Sequence, residues 1–514
     1  MLLLVEPRRD PHARRARCDN LDAVRVIPGV AAVLLAAGCA TFEGQFAAHL
    51  ASPSAEVREC AGWYRALDEQ VEAAGVRDAQ YAGVSGFPYL RVDRFLASSG
   101  SKLGDKEAAW QAFVERLRSL DLESRRHEID NLPREQFFTR ADALRRTREC
   151  GARLAAVDLV NPRARAELLA AARVPDEYSS AQRLVGLYAL TRIPFADGVR
   201  RWQDEVLALF REAAAPQGAA RVRFAPPAGK IPPRSTVLGL LARAQFDPLG
   251  QPVLSEREFE LIAAAYAPSF DIAIAGDYDR FGALRWRREG AAPEVDAAEP
   301  VVYVQPAFTR YGERVLLQVV YTLWFPERPP RGAVDLLAGR LDGLVWRVTL
   351  APDGEPLLYD SMHPCGCYHQ FFPTPRARPL PAPDALEEWA FVPQSLPGVH
   401  DDEHPVVSIA SATHYIERVA VARGAASLVR YAFRPYDELR SLGRLDGGRR
   451  SAFGADGLIA GSERAERFFY WPMGIPSAGA MRQWGRHATA FVGHRHFDDA
   501  DLIERRFALD LEAE

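Results

Sequence analysis

Residues 344–359 read Leu344-Val345-Trp346-Arg347-Val348-Thr349-Leu350-Ala351-Pro352-Asp353-Gly354-Glu355-Pro356-Leu357-Leu358-Tyr359. Two short apolar-rich runs flank Asp353-Gly354, and an Asp-Gly pair between such runs is a strong hairpin signal. The same character extends in both directions. Phe270–Ile274, Val315–Phe325, Val406–Ile409 and Val429–Phe433 all read as strands. Residues 40 to about 220 read differently, with apolar residues at helical spacing. Val57, Cys60, Tyr64, Leu67 and Val71 form one stripe, Trp110, Phe113, Val114 and Leu117 a second, and Val199, Trp202, Val206 and Phe210 a third. Ser52-Pro53 marks a helix start, and Ser255-Glu256-Arg257-Glu258 is a capping box. The pattern predicts an α+β protein, with a helical N-terminal half followed by a strand-rich, mainly antiparallel C-terminal half. The expected divisions are a leader over 1–38, a helical domain over 39–225 and a β-rich domain over 226–514.

The 514 residues, 48 % of them hydrophobic and 26 % charged, suit a chain with a sizeable core. A net charge of −4 gives no whole-chain basic footprint for nucleic acid, so no nucleic-acid partner is expected. No apolar run reaches the roughly 18–20 residues of a spanning helix.

Val26–Gly38 is an apolar stretch between Arg25 and Cys39, with the charge, length and small terminal residues of a secretory signal. Within it, Leu35-Ala36-Ala37-Gly38-Cys39 resembles the lipobox of bacterial lipoproteins. The resemblance covers about fifteen residues and implies that Cys39 becomes the first residue and carries lipid. Ala40 stands where an aspartate would retain such a protein in the inner membrane. The resemblance therefore implies a membrane partner reached through a lipid anchor, on the periplasmic face of the outer membrane. Residues 1–23 make an unusually long positive flank, which fits a true start at Val24 or Val26. With Cys18 and Cys39 set aside, four cysteines remain. Cys60 and Cys150 lie on apolar helical stripes and are expected to pair as a disulfide, the alternative being two buried thiols.

The stretch richest in chemistry is Tyr359-Asp360-Ser361-Met362-His363-Pro364-Cys365-Gly366-Cys367-Tyr368-His369. His363, Cys365, Cys367 and His369 alternate, so an extended strand would project them from one face. With His414 they make a borderline-soft donor set for zinc or copper. Six residues of straight strand span about 20 Å, so one ion needs the chain to turn, and Pro364 and Gly366 are where it can. Two other readings stand beside it: a Cys365–Cys367 disulfide or redox pair, with His369 or His414 as a base, and purely structural residues. Eight of the eleven histidines lie from His363 onward.

His494-Arg495-His496-Phe497-Asp498-Asp499 resembles a fragment of the His-x-His-x-Asp-His motif of metallo-β-lactamase-type hydrolases, departing at Asp499, where the family has histidine. It reads as at most a donor to the 363–369 segment, or as a polar C-terminal cap. Gly276-Asp277-Tyr278-Asp279-Arg280 reads as a turn with a solvated salt bridge to Arg280. There is no Gly-x-Ser-x-Gly, His-Glu-x-x-His, phosphate loop or dinucleotide fingerprint. The expectation is a lipid-anchored envelope protein with a His/Cys metal site, a metalloprotein of hydrolase type. The alternatives are a non-catalytic envelope-assembly or binding lipoprotein and a Cys-Gly-Cys thiol/disulfide protein.

The anchoring expectation has a direct check. Cys39→Ser should leave an unprocessed precursor and abolish radioactive palmitate labelling, whereas an unlabelled wild type would remove the lipoprotein reading.

Overall fold

The pairing of Cys60 with Cys150 joins two helices whose apolar stripes face each other. A computed structural model describes residues 46–104, 106–133, 139–212, 220–227, 232–287, 292–400, 403–423 and 429–512; the expected leader and Cys39 lie outside the described residues. Helix α1 (Ala55–Ala74) buries Val57, Cys60, Tyr64, Leu67 and Val71. Helix α2 (Glu107–Asn131) and helix α3 (Arg140–Asp158) complete the N-terminal bundle. The sulfurs of Cys60 and Cys150 are bonded, with the Cα atoms 4.9 Å apart. Beside them, Trp63 Nε1 donates to Thr147 Oγ1 at 3.1 Å and the Tyr64 hydroxyl to the Thr147 carbonyl at 3.0 Å. The cap of α1 is Ser54, two residues after the expected Ser52, because Ser52 Oγ accepts instead from the Ser54 N–H.

The helical reading of this half misses one hairpin. Strands β1 (Ala82–Val84) and β2 (Phe87–Val92) pair antiparallel around Gly86, whose φ of +84° suits the turn. The six-residue strand Phe87–Val92 is too short to show a period in sequence. Arg91 on β2 reaches Glu128 (2.7 Å) and Asp121 (3.3 Å) on α2, which ties the hairpin to the bundle through buried charge. A short helix α4 (Ser180–Val185) and the long α5 (Tyr188–Arg211) follow.

Strands β3 (Ala220–Ala225) and β4 (Ser269–Ile274) pair antiparallel. Between them lies helix α6 (Glu256–Ala265), which opens with the expected Ser255/Glu258 capping box. Strands β5 (Val301–Tyr311), β6 (Arg314–Arg328), β7 (Gly339–Leu350), β8 (Pro356–Met362) and β9 (Gln370–Pro373) form an antiparallel meander in chain order. Strands β10 (Glu403–Ile409) and β11 (Ile416–Arg423) extend the other sheet, with β10 parallel to β4. The chain then changes sheet within a few residues. Strand β12 (Val429–Arg430) pairs with β3, and strand β13 (Ala432–Pro435) pairs with β5. The two large sheets thus run β9-β8-β7-β6-β5-β13 and β11-β10-β4-β3-β12.

The meander is buried on both faces, so its strands read as almost continuous apolar runs. On β6, Leu317, Val319, Tyr321, Leu323 and Phe325 share a core with Phe270, Ile272, Val407 and Ile409 of the second sheet. The alternate residues Leu316, Val320 and Trp324 meet Leu502, Phe497 and Met481 of the C-terminal segment. Both ends of β8 carry the same turn. At Ala351–Glu355 and again at His363–Cys367, the first N–H bonds the fifth carbonyl, the fourth N–H bonds the first carbonyl, and the sequence between is Pro-x-Gly. Gly354 and Gly366 take φ of +79° and +89°, the left-handed position that ends a three-residue hairpin loop. No helix among the described residues is long and apolar enough to cross a membrane.

The disulfide closes a span of 90 residues. In the chain-entropy account such a loop stabilises by about 4–5 kcal/mol, less any strain. The double variant Cys60→Ala, Cys150→Ala should therefore lose about 3–5 kcal/mol in urea denaturation, with its secondary structure kept under native conditions.

Candidate functional site

The segment 363–369 is a turn between β8 and β9, not the extended strand that would project four ligands from one face. The reason is the Pro364-Cys365-Gly366 loop. A Cβ on Gly366 would lie 2.2 Å from the Ala488 carbonyl, so the C-terminal segment packs directly against the turn.

The turn separates the expected donors. His363 Nδ1 lies 3.0 Å from Asp342 Oδ1, and His414 Nδ1 lies 2.9 Å from Asp342 Oδ2, so these two rings share one buried carboxylate. His369 goes elsewhere, with Nε2 2.9 Å from Asp360 Oδ2. Asp360 is itself gripped by Arg347 through bonds of 2.9 and 2.6 Å. Cys365 and Cys367 stay together as free thiols, the Cys367 N–H donating to Cys365 Sγ at 3.4 Å. His363, Cys365, Cys367, His369 and His414 do not bring three ligating atoms within 4.8 Å of one another; among the described residues that spacing occurs at Asp176, His494 and His496.

The protonation of these groups follows from their surroundings. Burial drives the His369 imidazole down to about 3 despite Asp360, so it is neutral. Its Nε2 carries the proton that meets Asp360, and Nδ1 has no partner among the described residues. Burial also opposes charge on His414, but Asp279 and Asp342 outweigh it and raise the pKa. Asp279 is fully buried, not paired with Arg280 in solvent as the turn reading expected. It accepts from the N–H groups of Ala275 (2.8 Å) and Ala412 (2.7 Å) and from the Ser411 hydroxyl (2.8 Å). The hydrogen bond to Cys365 and burial together hold the Cys367 thiol well above its usual range, so it stays protonated at neutral pH.

Cys365, Cys367 and Tyr368 open onto a cavity of about 440 Å³. Its opposite wall is α5, where Phe195, Val199 and Trp202 recur at helical spacing. Trp202 packs on Tyr368 and Phe391 with ring centroids 5.4 and 5.3 Å apart. The stripe read from sequence therefore splits: Val199 and Trp202 line the cavity, while Phe210 packs on Phe372. The polar groups of the lining include Glu466, Glu388, Tyr415 and Arg495. Glu466 is only 3 % exposed, and no hydrogen bond or ion pair to its carboxylate is found among the described residues. Burial raises its pKa to about 7, with Arg464 and Arg328 opposing. Gly479, at φ +84°, lets the carboxylate approach, since a Cβ there would overlap Glu466 Oε1.

A surface beside the cavity is unusually apolar. Leu184, Leu187 and Leu190 are 78, 63 and 66 % exposed, and Phe468 and Phe469 are 66 and 58 % exposed. The two groups adjoin where Gly186 packs on Pro472. Phe195 and Tyr470 carry the patch inward, with ring centroids 5.4 Å apart, and both line the cavity. Trp471 is 37 % exposed at this edge.

Sequence reasoning did not single out Asp342, Asp360, Glu466 or the apolar patch. Asp342 and Asp360 do carry a signal, since each is a lone acid in an apolar strand run. Phe468-Phe469-Tyr470-Trp471 is a second, a run of aromatics with no alternation to bury them. No family model, curated protein or solved structure matches this chain.

Glu466 makes a pH-dependent claim. Its pKa is raised in the folded chain, so its contribution is most favourable below about pH 4.5 and is lost as pH rises through about 7. Glu466→Gln should stabilise the protein by up to about 3 kcal/mol at pH 8 and by nothing at pH 4, read by urea denaturation at both pH values.

Proposed function

We propose that this protein is a lipid-anchored envelope protein that binds an amphiphile, taking its apolar chain into the cavity beside Cys365-Gly366-Cys367. The observation that carries the reading is the continuity of the exposed apolar patch with the cavity wall at Phe195 and Tyr470. Ligand pockets of this kind span about 300–1,000 Å³ and combine apolar walls with a few polar groups. Here the walls are Phe195, Val199, Trp202 and Phe391, and Glu466 and Tyr415 would meet the polar end. Large apolar side chains exposed side by side, as here, are a feature of surfaces that meet lipid or protein. Lipid is favoured by the arginines around it: Arg467 lies over the Phe468 ring and Arg192 over Tyr188, where each would meet an anionic headgroup. The lipobox resemblance at Cys39 would hold the patch near such a surface.

This is the binding form of the envelope reading rather than the hydrolase form. The protonated Cys367 thiol weighs against a nucleophile there, because attack needs the thiolate.

The test uses protein lacking residues 1–39, none of which is among the described residues, purified without detergent. A fluorescent fatty-acid probe should bind with a stoichiometry near one. Val199→Trp, which fills the cavity, should weaken binding at least tenfold. Leu187→Asp with Phe468→Asp should reduce sedimentation with anionic phospholipid vesicles while leaving monomeric probe binding unchanged. Probe binding that is absent, or indifferent to Val199→Trp, would remove the proposal.

A further inference from the structure

Asp176, His494 and His496 converge outside the cavity, at a place none of the preceding roles uses. His494 Nε2 lies 2.8 Å from Asp176 Oδ2, and His496 Nε2 lies 3.3 Å from Asp176 Oδ1. Donor atoms that share one ion at about 2.0–2.2 Å each sit about 2.8–3.5 Å apart, and one donor atom from each of the three residues already lies within 4.8 Å of the other two.

The scaffold holds the donors in place. Chain alternation puts His494 and His496 on one side and sends Arg495 to the other, where its guanidinium bonds the Trp389 and Thr489 carbonyls. The Tyr178 ring packs against both imidazoles, with centroids 4.7 and 5.3 Å away. The Tyr178 N–H donates to Asp176 Oδ1 at 3.0 Å, which orients the carboxylate. His496 is 1 % exposed, and its Nε2 lies between Asp176 Oδ1 and the Glu177 N–H, 3.5 Å away, a weak contact that an ion would replace. Its other nitrogen, Nδ1, lies 3.3 Å from Asp499 Oδ1, and Asp499 Oδ2 accepts from the His496 N–H at 2.7 Å. Nδ1 makes no hydrogen bond as it stands, and a small turn of the ring toward Asp499 would give the carboxylate-backed imidazole that metal-bound histidines use.

Charge and access agree with this geometry. The neighbouring acids are neutralised, Glu177 by Arg486 at 2.8 Å and Asp498 by Arg94 at 3.2 Å. Asp176 and Asp499 have no arginine or lysine partner among the described residues. The side chains of His494 and Asp176 are 53 and 47 % exposed, which leaves room for solvent ligands.

We propose that Asp176, His494 and His496 bind one divalent first-row transition metal ion, with Asp499 orienting His496 and water completing the coordination. Two imidazoles and a carboxylate suit zinc, iron, cobalt or nickel better than calcium or magnesium.

The test is metal binding by the untagged chain after treatment with EDTA. Zinc should bind with one equivalent by elemental analysis. Cobalt should give weak visible bands without the intense near-ultraviolet band of sulfur ligation. His494→Ala and Asp176→Asn, both on half-exposed side chains, should each lower zinc affinity more than tenfold while keeping the wild-type melting temperature in EDTA. Asp499→Asn should lower affinity about 10–100-fold. The double variant Cys365→Ser, Cys367→Ser should keep its zinc. Less than a tenth of an equivalent in the wild type would overturn the proposal. So would unchanged affinity in His494→Ala and Asp176→Asn, or a sulfur-to-cobalt band that disappears with the cysteines.

Discussion

Arg347 spans the covered face of the central sheet, with two nitrogens on Asp360 and a third on the Phe497 carbonyl at 2.7 Å. Its guanidinium also lies 3.7 Å from the centroid of the Phe497 ring. Neither charged side chain touches solvent, so each depends on the other. Removing one partner of such a pair costs about 3–5 kcal/mol, because the charge left behind is buried alone. The pair does more than satisfy itself. Asp360 orients His369, and the bond to Phe497 fastens the C-terminal segment over β7 and β8. That segment is what packs against the Cys-Gly-Cys turn and supplies Ala488, Ala490 and Phe491 to the cavity. The cavity therefore depends on a contact formed at the far side of its floor.

The strands of the C-terminal half were legible because they obey local rules. Asp353-Gly354 marked its turn, and the apolar runs on either side became β7 and β8. The identical Pro-x-Gly grammar at Pro364-Cys365-Gly366 was equally present in the sequence, but the alternation of His and Cys drew attention to a face that an extended strand would have. What sequence could not supply was long-range partnership. His363 and His414 meet on Asp342, and nothing in the spacing of positions 342, 363 and 414 announces it. Glu466 looks like an ordinary helix-end acid until Gly479 is seen to admit its carboxylate into a closed space. The hairpin over Ala82–Val92 was hidden for a different reason, since its strands are too short to declare a period and are fixed by the Arg91 charges beneath them.

The two candidate sites share a scaffold but not a chemistry. The cavity is walled mainly by aromatic and aliphatic side chains, with Cys367 held as a thiol and Glu466 raised toward neutrality. The Asp176–His494–His496 cluster is polar and partly exposed, and its acids have no arginine or lysine partner among the described residues. Arg495 lies between them in sequence, facing the cavity side while its neighbours His494 and His496 face outward. One short loop, closed by the Thr489 N–H to the Arg495 carbonyl at 2.8 Å, thus serves both surfaces.

The passage of the chain from β12 to β13 has a mechanical meaning. Arg430 ends its pairing in one sheet and Ala432 begins pairing in the other, with Tyr431 buried between them and its hydroxyl bonded to the Pro268 carbonyl at 2.7 Å. Such a short link has no slack to pay out. The sheets cannot slide or open against each other by more than the length of one peptide unit without tearing ladder bonds from both. Movement of the helices α4 and α5 over the β-structure, by contrast, would break none of these ladder bonds.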